Sequence, residues 1–157
     1  MSRIYAVPFV AVSIAAQQDI ISINPAANKP VRILGFSLAQ VGNSDVGDAQ
    51  EEMFGIVIVR GNTTTGSGGS SVTPTPMDAT GQAAGATCRA NDTTAASSGT
   101  AVNCYANAFN IRAGITEYFP EELRPMTING VFMCLRLTNT PADAVTLSGC
   151  LWIEELG

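Results

Sequence analysis

Apolar side chains recur at every second position along most of this chain, and that period admits strands while excluding amphipathic helices. Ile4 to Ile14 is rich in Val and Ile and reads as a long first strand. Asp19 to Ile23 is a second, closed by Asn24-Pro25 and the turn-like AANKP, and Val31 to Val41 is a third. Met53 to Arg60 (MFGIVIVR) forms a strong central strand. Weaker strands are expected at Ala86 to Ala90 and Ala101 to Phe109, followed by Ile115 to Phe119, Val131 to Leu137 and Val145 to Glu154. In the last two, Val131, Met133, Leu135 and Leu137 share one face, as do Val145, Leu147, Leu151 and Ile153. Strands with one apolar face belong to antiparallel sheets packed face to face. The expectation is an all-β, antiparallel, jelly-roll-like β-sandwich of eight or nine strands. A chain of 157 residues fits one such domain, residues 1–157.

Two polar stretches interrupt this pattern. GNSDVGDAQEE, after the third strand, accommodates one helical turn capped by Ser44. NTTTGSGGSSVTPTP, Asn62 to Pro76, admits three readings: a domain linker, a phosphate-binding glycine loop, or a long loop within one domain. A phosphate loop needs N–H groups curved at a helix N-terminus and a nearby Lys. VTPTP starts no helix, and the nearest Lys is Lys29. The flanking strands each need a partner for an apolar face, so a linker between independent domains is disfavoured. Thr63 to Ser71 therefore reads as an outward loop tip or a contact with a neighbouring subunit. Val72 to Pro76 reads as its extended return, because Pro74 and Pro76 suit polyproline or sheet-edge geometry.

Catalytic constellations are scarce. The chain has no His, so the usual base of a nucleophilic triad is missing, and Lys29, the sole Lys, stands in a loop-like context. Cys88, Cys104, Cys134 and Cys150 form no C-x-x-C pair, which argues against zinc and for small buried hydrophobes. Pairing of Cys134 with Cys150, or of Cys88 with Cys104, stays open. Asp45, Asp48, Glu51 and Glu52 lack calcium-loop spacing and read first as a solvated acidic turn. In PEELRP, Glu121 or Glu122 is expected to pair with Arg124. No cofactor or metal is called for. Phe9, Phe36, Phe54, Phe109 and Phe132 lie in strands and read as core, as does Trp152, with Tyr105 and Tyr118 as the exposed candidates.

Surface chemistry narrows the partners. Only 13% of residues are charged, about half the usual share. Such a weakly charged surface favours life inside an assembly. The net charge of −5 comes from 13 acidic and 8 basic residues, and the basic ones are scattered singly. That distribution excludes a nucleic-acid stripe and a polybasic membrane patch. The N-terminus MSRIYAVPFVAVSIAAQQD carries an apolar run, but Pro8, Ser13 and a single Arg favour a strand of the mature protein over a signal peptide, hence synthesis in the cytosol.

Three blocks, residues 31–78, residues 109–137 and the end PADAVTLSGCLWIEELG, give the chain a family likeness. It resembles small structural proteins encoded in the head-gene regions of tailed bacteriophages, the kind that includes capsid decoration (cement) proteins. The resemblance implies a β-rich homo-oligomer, with a trimer favoured, that binds the major capsid protein on the outer capsid surface and locks the mature head. It also implies a virion component assembled in the host cytoplasm and no enzymatic activity. Arg3, Tyr5, Phe9, Asp45, Asp48, Glu51 and Glu52 are the contact candidates, chosen for their place at a chain end or between strong strands. The rival reading is a receptor- or glycan-binding module of a phage head or tail fibre.

Overall fold

A computed structural model describes residues 3–42 and 51–157. Twelve strands are present among them: β1 (Ile4–Ile14), β2 (Asp19–Asn24), β3 (Val31–Gln40), β4 (Met53–Asn62), β5 (Ser70–Val72), β6 (Thr75–Pro76), β7 (Thr87–Asp92), β8 (Val102–Asn110), β9 (Ile115–Tyr118), β10 (Met126–Thr127), β11 (Phe132–Leu137) and β12 (Val145–Glu155). The nine strands expected from alternation all form. The three additional ones, β5, β6 and β10, have only two or three residues each, too few for a period to register. The helical turn expected to be capped by Ser44 lies outside the described residues.

The strands build two antiparallel sheets packed as a β-sandwich. Sheet A has the order β10-β3-β12-β1-β6, and β9 shares the outer edge of β3 with β10. Sheet B has the order β5-β7-β2-β11-β4-β8. Consecutive strands β1, β2, β3 and β4 alternate between the sheets, so each strand finds its hydrogen-bond partners far along the chain. Between the sheets, Val7, Ile33, Phe36 and Leu151 from sheet A meet Ile21, Ile56, Met133 and Leu135 from sheet B. Burying such side chains contributes about 1.5–3 kcal/mol each.

The outer face of sheet B is covered by the chain itself. Residues 62–69 run antiparallel to residues 93–98, joined by bridges Thr64–Ser97 and Ser67–Thr94 with N–H···O distances of 2.9 and 3.0 Å. This ribbon sets Ala96 against Val59 and Cys134, with Phe132 alongside. Two carboxylates anchor it. Asp19, fully buried, accepts from Arg136 Nε at 2.5 Å and from the Ala96 amide at 2.7 Å, while Arg136 Nη2 donates to Ala96 O at 3.0 Å. Asp92, 1% exposed, accepts from Arg89 Nη2 at 2.8 Å and from the Gly69 amide at 3.2 Å.

The glycines of NTTTGSGG follow from this contact. A Cβ on Gly69 would lie 2.1 Å from Ala90 O, and one on Gly66 would lie 2.7 Å from Thr94 O. Gly68 takes φ +89°, a left-handed conformation that favours glycine. The expected outward tip is therefore corrected: this stretch folds back on its own chain because its backbone groups find partners there. Strands before and after it share both sheets. Of its return path, β5 pairs with β7 and β6 pairs with the edge of β1.

Both open disulfide pairings are also corrected. Cys134 is in β11 of sheet B and Cys150 in β12 of sheet A, while β7 (Cys88) and β8 (Cys104) are separated by three strands of sheet B. All four thiols are free. Burial pushes the Cys88 thiol up to about 12, with the nearby Glu155 carboxylate acting in the same direction. Burial raises Cys134 as well.

Replacing Asp19 by Ala strands the half-buried Arg136 guanidinium and the buried Ala96 amide. It is expected to cost about 3–5 kcal/mol in denaturant unfolding, the usual penalty for breaking a buried pair. In the native protein Cys104 is expected to react first with a thiol reagent, and Cys88 and Cys134 only on unfolding. Because the folded-state pKa of Cys88 is raised, its contribution to stability is complete below the unfolded value near 9.0 and is lost as pH rises from there towards about 12. Unfolding midpoints measured across that window should fall.

Candidate interaction surface

Sheet A leaves its outer face open, and the register determines which side chains stand on it. Leu151 and Ile153 point into the core, so Trp152 between them points out. Across the sheet Trp152 lies opposite Ala6 on one side and Gly35 on the other, and Gly35 lies opposite Tyr118. A Cβ on Gly35 would come within 2.3 Å of Glu117 O and 3.0 Å of the Tyr118 ring. The missing side chain lets the Tyr118 ring lean across β3 onto Trp152, where the two stack at 5.2 Å between centroids and 21° between planes. Tyr118 remains 68% exposed.

Apolar neighbours extend the rings into a shelf. Ile4, Leu34, Met77 and Phe119, together with Tyr118, Trp152 and Arg124, line an open cavity of about 520 Å³. Met77 is held there by its amide, which donates to Ile4 O at 2.9 Å.

Charges at the rim are paired with one another. Arg32 Nε donates to Glu154 Oε2 at 2.7 Å, Arg124 lies 4.0 Å from the same carboxylate, and Glu121 is 3.7 Å from Arg32. The expected pairing of Arg124 with Glu121 or Glu122 is thus corrected, because β12 brings Glu154 between the two arginines. Arg32 is raised above its ordinary value, chiefly by the Glu154 hydrogen bond. The shelf presents stacked rings and thioether beside a neutralised border, a composition suited to dry contact.

The five contact candidates among the described residues fall elsewhere. Tyr5 and Phe9 point into the core, the latter over Gly149, where a Cβ would meet its ring at 2.9 Å. Alternation along β1 turns both inward, so their side chains are removed from any contact surface. Burial raises the Tyr5 hydroxyl. Arg3 is half-buried, and its carbonyl accepts from the Glu155 amide at 2.9 Å. Glu51 accepts from Asn110 Nδ2, and Glu52 accepts from the Ala142 amide at 2.9 Å, so both tie neighbouring turns together. Asp45 and Asp48 lie outside the described residues.

Lys29 is 3.5 Å from Glu155, a buried carboxylate that also accepts from the Gly85 and Ala86 amides at 2.8 Å each. Among the described residues no group of three or more His, Cys, Asp or Glu could hold a metal ion, and no helix is long and apolar enough to cross a membrane. A second cavity, about 510 Å³, is flanked by Ser22, Ser71, Thr73 and Arg89, and its one cation is committed to Asp92. The chain matches no protein-family model, no curated protein and no solved structure.

Trp152 is the sole tryptophan, so its emission reports on the shelf. Tyr118→Ala is expected to shift that emission towards the red while costing about 0.5–1.5 kcal/mol, the worth of an aromatic pair.

Proposed function

We propose that this protein is a non-enzymatic virion component of the capsid decoration (cement) type, and that it docks on the major capsid protein through the shelf on sheet A. The observation that carries the docking face is the open row of Tyr118, Trp152, Met77, Ile4 and Leu34 bordered by self-paired charges. Aromatic anchors flanked by apolar side chains are what energetic centres of protein interfaces are made of. The strand order gives supporting context. With β5 to β7 and β10 set aside, the sheets read β1-β12-β3-β9 and β2-β11-β4-β8, an order that supports the jelly-roll reading. Viral capsid and lectin domains use that architecture, and the support it lends is analogy at the level of fold.

In this reading the protein stabilises the head without turnover. Binding to the mature lattice, and not to its precursor, lowers the free energy of the mature form by linkage. A large, weakly charged surface suits a protein that works between other proteins.

The stacked, exposed Tyr118 ring favours one second reading, a glycan-binding module, because sugars present apolar faces that lie flat on such rings. The two readings separate experimentally. Purified protein is expected to cosediment with heads lacking it and to raise their thermal resistance. Trp152→Ala or Tyr118→Ala should weaken that binding at least tenfold, the equivalent of about 1.4 kcal/mol. Unchanged occupancy by both variants would exclude the shelf as the docking face. Absent head binding together with glycan-array signal would move the assignment to the second reading.

A further inference from the structure

Strand β8 is an edge strand of unusual character. It runs for nine residues, VNCYANAFN, with neither a charge nor a proline, and among the described residues it pairs only with β4. Natural sheets protect open edges with charged side chains, proline, short length or a cover, because an unpaired edge is a template for another strand. The other described sheet edges meet that standard. β5 has three residues, β10 has two, β6 has two including Pro76, and β9 has four including Glu117. β1 is open beyond Ala6 but carries Pro8 and a register shift between Phe9 and Val12, whereas β8, with a register shift at Cys104, is the long edge free of both charge and proline.

The orientation of its backbone follows from two bonds. Ile111 donates its amide to Glu52 O on the β4 side at 3.0 Å, whereas the Ala108 amide turns away from β4 and takes Asn107 Oδ1 at 2.8 Å. Ala106 and Ala108 therefore direct their N–H and C=O groups towards the open edge. Their side chains, with Cys104, are small, so another strand can approach to the ordinary spacing of about 4.8 Å. Two carboxylates reach side chains of β8: Glu51 accepts from Asn110 Nδ2 at its C-terminal end, and Glu117 accepts from Asn107 Nδ2 at 3.4 Å on the side facing the other sheet.

We propose that β8 is a self-association edge whose occupant is β8 of a second copy, paired antiparallel about a two-fold axis at Ala106. A second copy supplies an open edge of equal length, equally uncharged and equally free of bulk, and the axis makes each contact satisfy both chains. Ala106 exchanges both hydrogen bonds with its own counterpart, and Cys104 lies opposite Ala108 of the other copy. The Asn107 side chain gives up the Ala108 amide to the partner carbonyl. Two six-stranded sheets then join into one continuous sheet across the axis. This inference is independent of the capsid reading, and it yields a dimer where the resemblance implies a trimer.

The axis gives a positional test. In a hydrogen-bonded antiparallel pair the Cα atoms lie about 5.5 Å apart, within the roughly 4.4–6.8 Å that a disulfide spans. Ala106→Cys in a Cys104→Ser background is expected to form a cross-linked dimer under mild oxidation, while Cys104→Ser alone does not. Sedimentation equilibrium of the unmodified protein should give twice the chain mass, and Ala106→Lys should give the monomer mass with its circular dichroism retained. A monomeric or trimeric unmodified protein, a dimer that survives Ala106→Lys, or a failure of the position-106 cysteine to cross-link would each overturn the proposal.

Discussion

The buried carboxylate of Asp19 closes the outer face of sheet B, and the division of labour between the two sheets depends on it. Arg136 reaches it from β11 and the Ala96 amide from the ribbon above, so one charge pair joins a sheet strand to its covering loop. Asp92 and Arg89 repeat the device at the other end, where the Gly69 amide is the loop donor. A buried pair contributes little net stability against an apolar substitute, but losing one partner is expensive. The two pairs therefore act chiefly to fix where the ribbon lies. With sheet B covered, Val59 and Cys134 become a second small core, while Val10, Tyr118 and Met126 of sheet A stay exposed.

Much of this was legible in the sequence. Period-two alternation located nine strands and the inward faces of β11 and β12, because a strand in a sandwich has one buried side whatever its partners. The same alternation placed Trp152 opposite Leu151 and Ile153, so its outward position was available in principle; its size and apolar character instead suggested core. Other features were set by pairing between distant segments. Asp19 and Arg136 are 117 positions apart and meet only because β2 and β11 are neighbours. Gly35 means little locally, yet its missing side chain is what admits Tyr118 onto Trp152. The glycine-rich stretch looked like a free loop because its composition is that of one, whereas its glycines serve close contact with residues 90–94.

Among the described residues, strong pairing elsewhere leaves open a shelf of rings on one sheet and the long β8 edge on the other. Strands β8 and β9 are joined by the turn at residues 111–114, so the edge and the Tyr118 end of the shelf lie on the same flank. Both surfaces rest on strands rather than on loops, which holds their side chains in place at low entropic cost on binding. Few charges interrupt either surface. That combination suits the proposed role in contact with other proteins.

Imaging heads to which the purified protein has been bound tests the docking face most directly. The expected density has the outer face of sheet A, with Tyr118 and Trp152, against the shell. Density with that face turned to solvent and sheet B or its ribbon against the shell would contradict it.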